Sequence, residues 1–222
     1  MDETGVITTQ ASTVDEWTRA LADTNGSPGG GAGAGVMLAI AASLISMVAG
    51  YSQRDGESGG EVDDLRELHA RAHSLREIAL RLADDDSEAS AAFGAAYSLE
   101  KGPERDAAIR DASMAAARAS SVLGRHAADA INDLAWLAFH GNPALIADVV
   151  AALGALRAAI TGARTNVSFD LAAVARAGQP PEQVRSADPA VWNSVQLFDH
   201  ARDRIDEIML AVDDRAAPTD HE

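Results

Sequence analysis

Three consecutive aspartates, in the run Arg81-Leu82-Ala83-Asp84-Asp85-Asp86-Ser87-Glu88, hold the side chains best suited to proton transfer. Leu75, Ala79 and Leu82 recur at helical spacing, and the next step along that stripe is Asp86, followed by Ala89 and Phe93. Asp84 and Asp85 fall off the stripe. Asp86 is thus the carboxylate expected to face the core or an interior cleft. A carboxylate there must be paired, hydrogen-bonded or protonated. Those conditions also suit a general acid or base. The alternatives are a solvated acidic cluster or a core aspartate bonded to backbone.

A second feature is backbone chemistry. Asn25–Gly35 reads NGSPGGGAGAG and runs into the small and apolar sequence VMLAIAASLISMVAGY. Pro28 with Gly29, Gly30 and Gly31 predicts a turn feeding a buried helix. The N–H groups at such a helix start suit an anionic or carbonyl-bearing ligand. A mobile surface loop is the competing reading of the same glycines. Downstream, Asn142 stands before Pro143 as a helix cap, with Asp148 six residues on. Asn166 lies 18 residues beyond Asp148. On one unbroken helix the two share an azimuth but stand roughly 27 Å apart, so they meet in one pocket only if that helix breaks.

Other chemistries are poorly served. There is no cysteine, hence no disulfide, thiolate metal site or cysteine nucleophile. His69 and His73 are four apart but lack the glutamate of a zincin helix, so no metal site is expected. Gly31-Ala32-Gly33-Ala34-Gly35 has no preceding strand and no following Lys-Ser/Thr, which removes the nucleotide-binding fingerprints. A net charge of −16, with Lys101 the sole lysine, argues against nucleic acid and anionic membranes as partners. The acidic N-terminus lacks the features of a targeting segment, and Val36–Ala49 is too short to span a bilayer, so a cytoplasmic protein is expected.

The elements that must position these groups are all helical. Alanine is abundant, aromatics are 4 % of 222 residues, and no strand pattern is present. Thr13 and Glu16 form a capping box for a helix over Val14–Asp23. Further helices are predicted over Ala32–Tyr51, from Val62 to Leu99, Glu104–Phe139, Ala144–Ala163 and Pro189–Val212, with Thr165-Asn166-Val167 disturbing or ending the fifth. Gly124 marks a kink or a close helix contact. The result is an all-α, elongated bundle of six or seven helices, two of them long, without a sheet. One domain spans 13–213, between a flexible N-terminus (1–12) and a flexible tail (214–222). Alanine-rich faces on such long helices point to a homodimer.

Taken together, Ser27-Pro28-Gly29-Gly30-Gly31 before an alanine-rich helix, Leu82-Ala83 with Asp86, Gly141-Asn142 with Asp148, and Asn166-Val167 with Leu171 resemble the formiminotransferase-cyclodeaminase C-terminal domain and methenyltetrahydrofolate cyclohydrolase family, over about residues 14–210. That resemblance implies an all-helical dimer acting on a tetrahydrofolate derivative as its substrate. It implies Asp86 as the catalytic residue, and Gly29, Gly30, Gly31, Asn142, Asp148 and Asn166 as binding positions. Arg54 is all that remains of the family's basic stretch in Gln53–Ser58, and it or another arginine would hold the glutamate tail. Ala144-Leu145-Ile146-Ala147-Asp148 stands where the family has Asn-Leu-x-Ser-Asp. The activity implied is hydrolysis of 5,10-methenyltetrahydrofolate to the 10-formyl form. A formiminotetrahydrofolate cyclodeaminase releasing ammonia is the same-class alternative, and a non-catalytic folate-binding or interaction protein the different-class one.

Overall fold

Small side chains dictate how the helices meet. The computed structural model describes residues 7–23, 27–52 and 60–215. Among these residues seven α-helices run in order: α1 (Val14–Ala22), α2 (Gly30–Ser52), α3 (Gly60–Ser98), α4 (Pro103–His140), α5 (Ile146–Arg176), α6 (Pro181–Ala187) and α7 (Pro189–Asp213), with a 3-10 turn at Pro143–Leu145 before α5. No strand occurs among the described residues, so the all-α expectation holds. At 1.5 Å per residue, α3 (39 residues) and α4 (38 residues) each extend roughly 57 Å and give the bundle its long dimension.

α2 is the central element, packed against α3, α4 and α5. Ala32, Leu38, Ala41, Ala42, Ile45, Val48 and Ala49 are fully enclosed. Gly35 lets α2 and α3 approach: a Cβ there would lie 2.7 Å from the Ala83 Cβ and 2.9 Å from its Cα. Gly124 is a close contact within an unbroken α4, because a side chain at that position would overlap the ring of buried Phe198 on α7. By length and composition α2 and Pro143–Arg176 could each cross a bilayer. In the bundle both contribute to one continuous apolar core through Leu38, Ile45, Leu153, Leu156 and Ile160.

The fifth helix departs from expectation. It continues through Thr165-Asn166-Val167 to Arg176 instead of stopping near Ala163. Threonine and asparagine are weak helix formers but not breakers. Ala163 and Val167 are enclosed on the core side, and that packing carries the helix onward. Gly178, at φ +93°, then reverses the chain towards α6.

At the N-terminal end the capping box of α1 forms as expected: the Glu16 N–H donates to Thr13 Oγ1 (3.2 Å), and the Thr13 N–H donates to the Glu16 carboxylate (2.9 Å). Trp17 packs against Ala32 of α2 and Ala83 of α3. Of the segments expected to be flexible, 1–6 and 216–222 lie outside the described residues. Residues 8–12 instead form a turn held to α3, with the Thr9 N–H donating to Asp84 Oδ1 at 2.6 Å. At the opposite terminus Arg215 donates to the Ala138 carbonyl (2.7 Å).

Candidate active site

The three consecutive aspartates have three different surroundings. Asp84 anchors the N-terminal turn, Asp85 is exposed, and Asp86 reaches the start of α2. The helix phase read from the stripe explains the division, since only Asp86 shares a face with Leu82 and Ala89. Gly29 supplies the carbonyl that begins α2, accepting from the Gly33 N–H at 2.9 Å. The Asp86 carboxylate lies against the Cα of Gly31 and accepts a hydrogen bond from the Ala32 N–H. An aspartate from α3 therefore caps α2 from outside, satisfying one of its unpartnered N–H groups. Any side chain at position 31 would overlap that carboxylate. The glycine turn thus admits Asp86 rather than leaving all its N–H groups for a ligand.

A cleft of about 350 Å³ opens at this point. Gly30 and Gly31 come from α2, Asp86, Ser90 and Phe93 from α3, Ser120 from α4, and Asn166 and Asp170 from α5. Its volume lies within the range of small-molecule sites. No basic side chain lines it among the described residues. Burial pushes the Asp86 carboxyl above its ordinary value, against the opposing pull of the Ala32 N–H. Asp170 is pushed up to about 7, mainly by burial and further by the charge of Asp86. The cleft therefore brings together two carboxyls whose surroundings raise both, Asp170 into the neutral range where a side chain can exchange protons with a substrate.

Of the residues singled out from sequence, Gly30, Gly31, Asp86 and Asn166 meet in this cleft, with Gly29 adjoining. Arg54 lies outside the described residues. Asn142 and Asp148 are elsewhere. Because α5 is continuous, Asp148 remains roughly 27 Å from Asn166, near the far end of the bundle. Asn142 borders a separate cleft of about 480 Å³ with Ile146 and Arg215. There its side chain accepts from the Ala144 N–H (3.0 Å), and its own N–H donates to Ser52 Oγ (2.9 Å). This is a capping role, worth about 1 kcal/mol. A larger groove of about 620 Å³ runs between α3 and α4, but its arginine, Arg71, is already bonded to Asp133 (2.9 Å). Asp170, Ser120 and Phe93 were not anticipated as site residues. The usable signal for Asp170 was its position four residues after Asn166, on the same helical face, concealed by ending the helix too early.

Residues 13–178, which include every residue lining the Asp86 cleft, match the family model described as formiminotransferase-cyclodeaminase. The chain belongs to the formiminotransferase-cyclodeaminase family. Among solved structures, this family member is similar to the formiminotetrahydrofolate cyclodeaminase of Thermotoga maritima, with 22 % identity and a TM-score of 0.74 over 91 % of this chain and 98 % of that one. At that identity the likeness concerns the fold: the all-helical bundle is shared almost end to end. No curated protein matches the chain in sequence. Membership connects the chain to a folate one-carbon family.

Proposed function

We propose that this protein catalyses folate one-carbon interconversion at the methenyl bridge, hydrolysing 5,10-methenyltetrahydrofolate to 10-formyltetrahydrofolate. The observation that carries this reading is the presence of Asp86 and Asp170 in one cleft beside the glycine turn, with no basic side chain lining it among the described residues, in a chain of this family. The methenyl bridge is a positively charged amidinium, and an acidic, partly dehydrated cleft attracts it. Ionised Asp86 takes a proton from the water that adds to the bridge carbon. The carbon–N5 bond then breaks as N5 accepts a proton, leaving the formyl group on N10 and releasing one proton overall. Gly30, Gly31 and Asn166 orient the polar edge of the substrate, and Phe93 offers an apolar wall. No metal or nucleotide is required by this scheme.

Cyclodeamination of 5-formiminotetrahydrofolate is the second reading, supported by the name of the Thermotoga structure. It needs the same two groups: a base for the N10 proton and an acid for the departing ammonia. Purified protein is expected to accelerate the loss of methenyltetrahydrofolate absorbance above the spontaneous rate, without ammonia release from the formimino compound. Ammonia release with no hydrolysis would replace the first reading with the second. Neither activity, with no thermal shift on adding tetrahydrofolate, would leave a non-catalytic scaffold.

We also read the protein as a cytoplasmic homodimer. Gly33, Met37, Ile40, Leu44, Met47 and Tyr51 follow a three-four spacing along α2, and Met37, Ile40 and Tyr51 are exposed. Such a seam suits the same helix of a second copy. Sedimentation at the 23.0 kDa mass of one chain would contradict it.

A further inference from the structure

The cleft contains two carboxyls that arrive from different helices. Asp86 comes from α3 and Asp170 from α5. The surroundings of the two are unequal. Asp86 has a fixed donor in the Ala32 N–H, which favours its charged form. Among the described residues Asp170 has no such donor, and both burial and the negative charge of its neighbour oppose its ionisation. The other elements around the cleft bring no charge to it: α2 contributes Gly30 and Gly31, and α4 contributes Ala116 and Ser120. On α3 the remaining lining residues are Ala89, Ser90, Phe93 and Gly94, and on α5 the only other one is Asn166. Two like charges in so small a space cannot both be retained cheaply, and the backbone donor decides which one is kept.

We propose that Asp86 and Asp170 hold a single proton between them, with Asp86 as the ionised base and Asp170 as the proton-bearing acid of the cleft. The assignment deepens the folate reading by giving it a proton donor. In hydrolysis Asp86 receives one proton of the attacking water, and Asp170 gives its proton to N5 as the carbon–nitrogen bond breaks and takes the hydroxyl proton as the formyl carbonyl forms. Asp86 then gives up its proton to solvent, the one proton released per turnover, and the pair returns to its starting charge. Asn166, one turn before Asp170 on the same face, is placed to position the substrate edge between the two.

Carboxyl-carbon NMR titration of the full chain tests the pairing without any substrate. The Asp170 resonance is expected to titrate near neutral pH, and Asp86→Asn is expected to move its midpoint down. An Asp170 midpoint in the ordinary carboxylate range, or one indifferent to Asp86→Asn, overturns the proposal. Turnover supplies the second readout. Asp170→Asn should lower kcat at least tenfold with KM little changed, and should remove the alkaline limb of the kcat–pH profile. An unaltered profile overturns the donor role. If Asp170→Asn does not fold, the wild-type titration still decides. Coupled titration in a protein that turns over no folate would sustain the pair and sink the folate reading. Turnover with an ordinary Asp170 titration would do the reverse.

Discussion

Asp86→Asn is expected to lower kcat/KM for the folate substrate by about 10²- to 10⁴-fold, the usual contribution of a positioned general base. The substitution is close to isosteric. The amide oxygen can still accept from the Ala32 N–H, so the cap on α2 survives while the proton acceptor is lost. Stability should move in the opposite direction to activity. Both carboxyls are raised in the folded protein, so the native state keeps protons that the unfolded chain releases. Their burial is harmless below about pH 4, becomes increasingly unfavourable as pH rises, and for Asp170 reaches its full cost above about 7. With allowance for water in an open cleft, that cost is about 2 kcal/mol. Asp86→Asn should therefore flatten the decline in denaturation midpoint between pH 5 and 8, on the order of the native carboxyl range. Full activity in a folded Asp86→Asn protein would remove Asp86 from the mechanism.

Gly31→Ala should be nearly as damaging to turnover, by an entirely steric route. The new methyl group would occupy the place of the Asp86 carboxylate, which is the far end of a flexible side chain and can rotate away. The fold survives, but the carboxylate leaves the Ala32 N–H and the position from which it reaches substrate. Displacements of this size cost about 10²-fold in rate. Gly35→Ala is the informative control. Its methyl would meet the Ala83 backbone at 2.9 to 3.0 Å, which cannot swing aside, so the helices themselves must separate. That variant should lose about 1–3 kcal/mol in urea denaturation. Equal turnover for Gly31→Ala and wild type would show that Asp86 needs no glycine beside it.

These two residues also mark how far the sequence could be read. The stripe through Leu75, Ala79 and Leu82 identified Asp86 because helix phase is local, and the bundle preserved that phase. The glycine turn was recognisable as a helix start for a similar reason, since proline and glycine restrict the backbone on their own. Its purpose was not readable. That Gly31 makes room for a carboxylate depends on α3 crossing α2 at Ala83, a matter of tertiary packing. Asp170 was missed because Thr165 and Asn166 suggested a helix end, whereas Val167 and Val174 are buried deeply enough to override a weak local preference. Asn142 and Asp148 were grouped with the others by motif order. Their separation from Asn166 by a straight helix was calculable, and the continuity of α5 gives that calculation its force.

The anchoring of Trp17 has a practical consequence. Its indole rests on Ala32 and Ala83, and Ala32 supplies the N–H that holds Asp86. The buried ring is therefore linked to the carboxylate through Ala32. Trp136 is stacked on His140 and Trp192 borders another cleft, so neither shares this wall. Trp17 is a built-in optical gauge for the cleft. With the other two tryptophans replaced by phenylalanine, its emission gives a direct reading of how tightly the start of α2 is held, in a form suited to stopped-flow mixing with substrate.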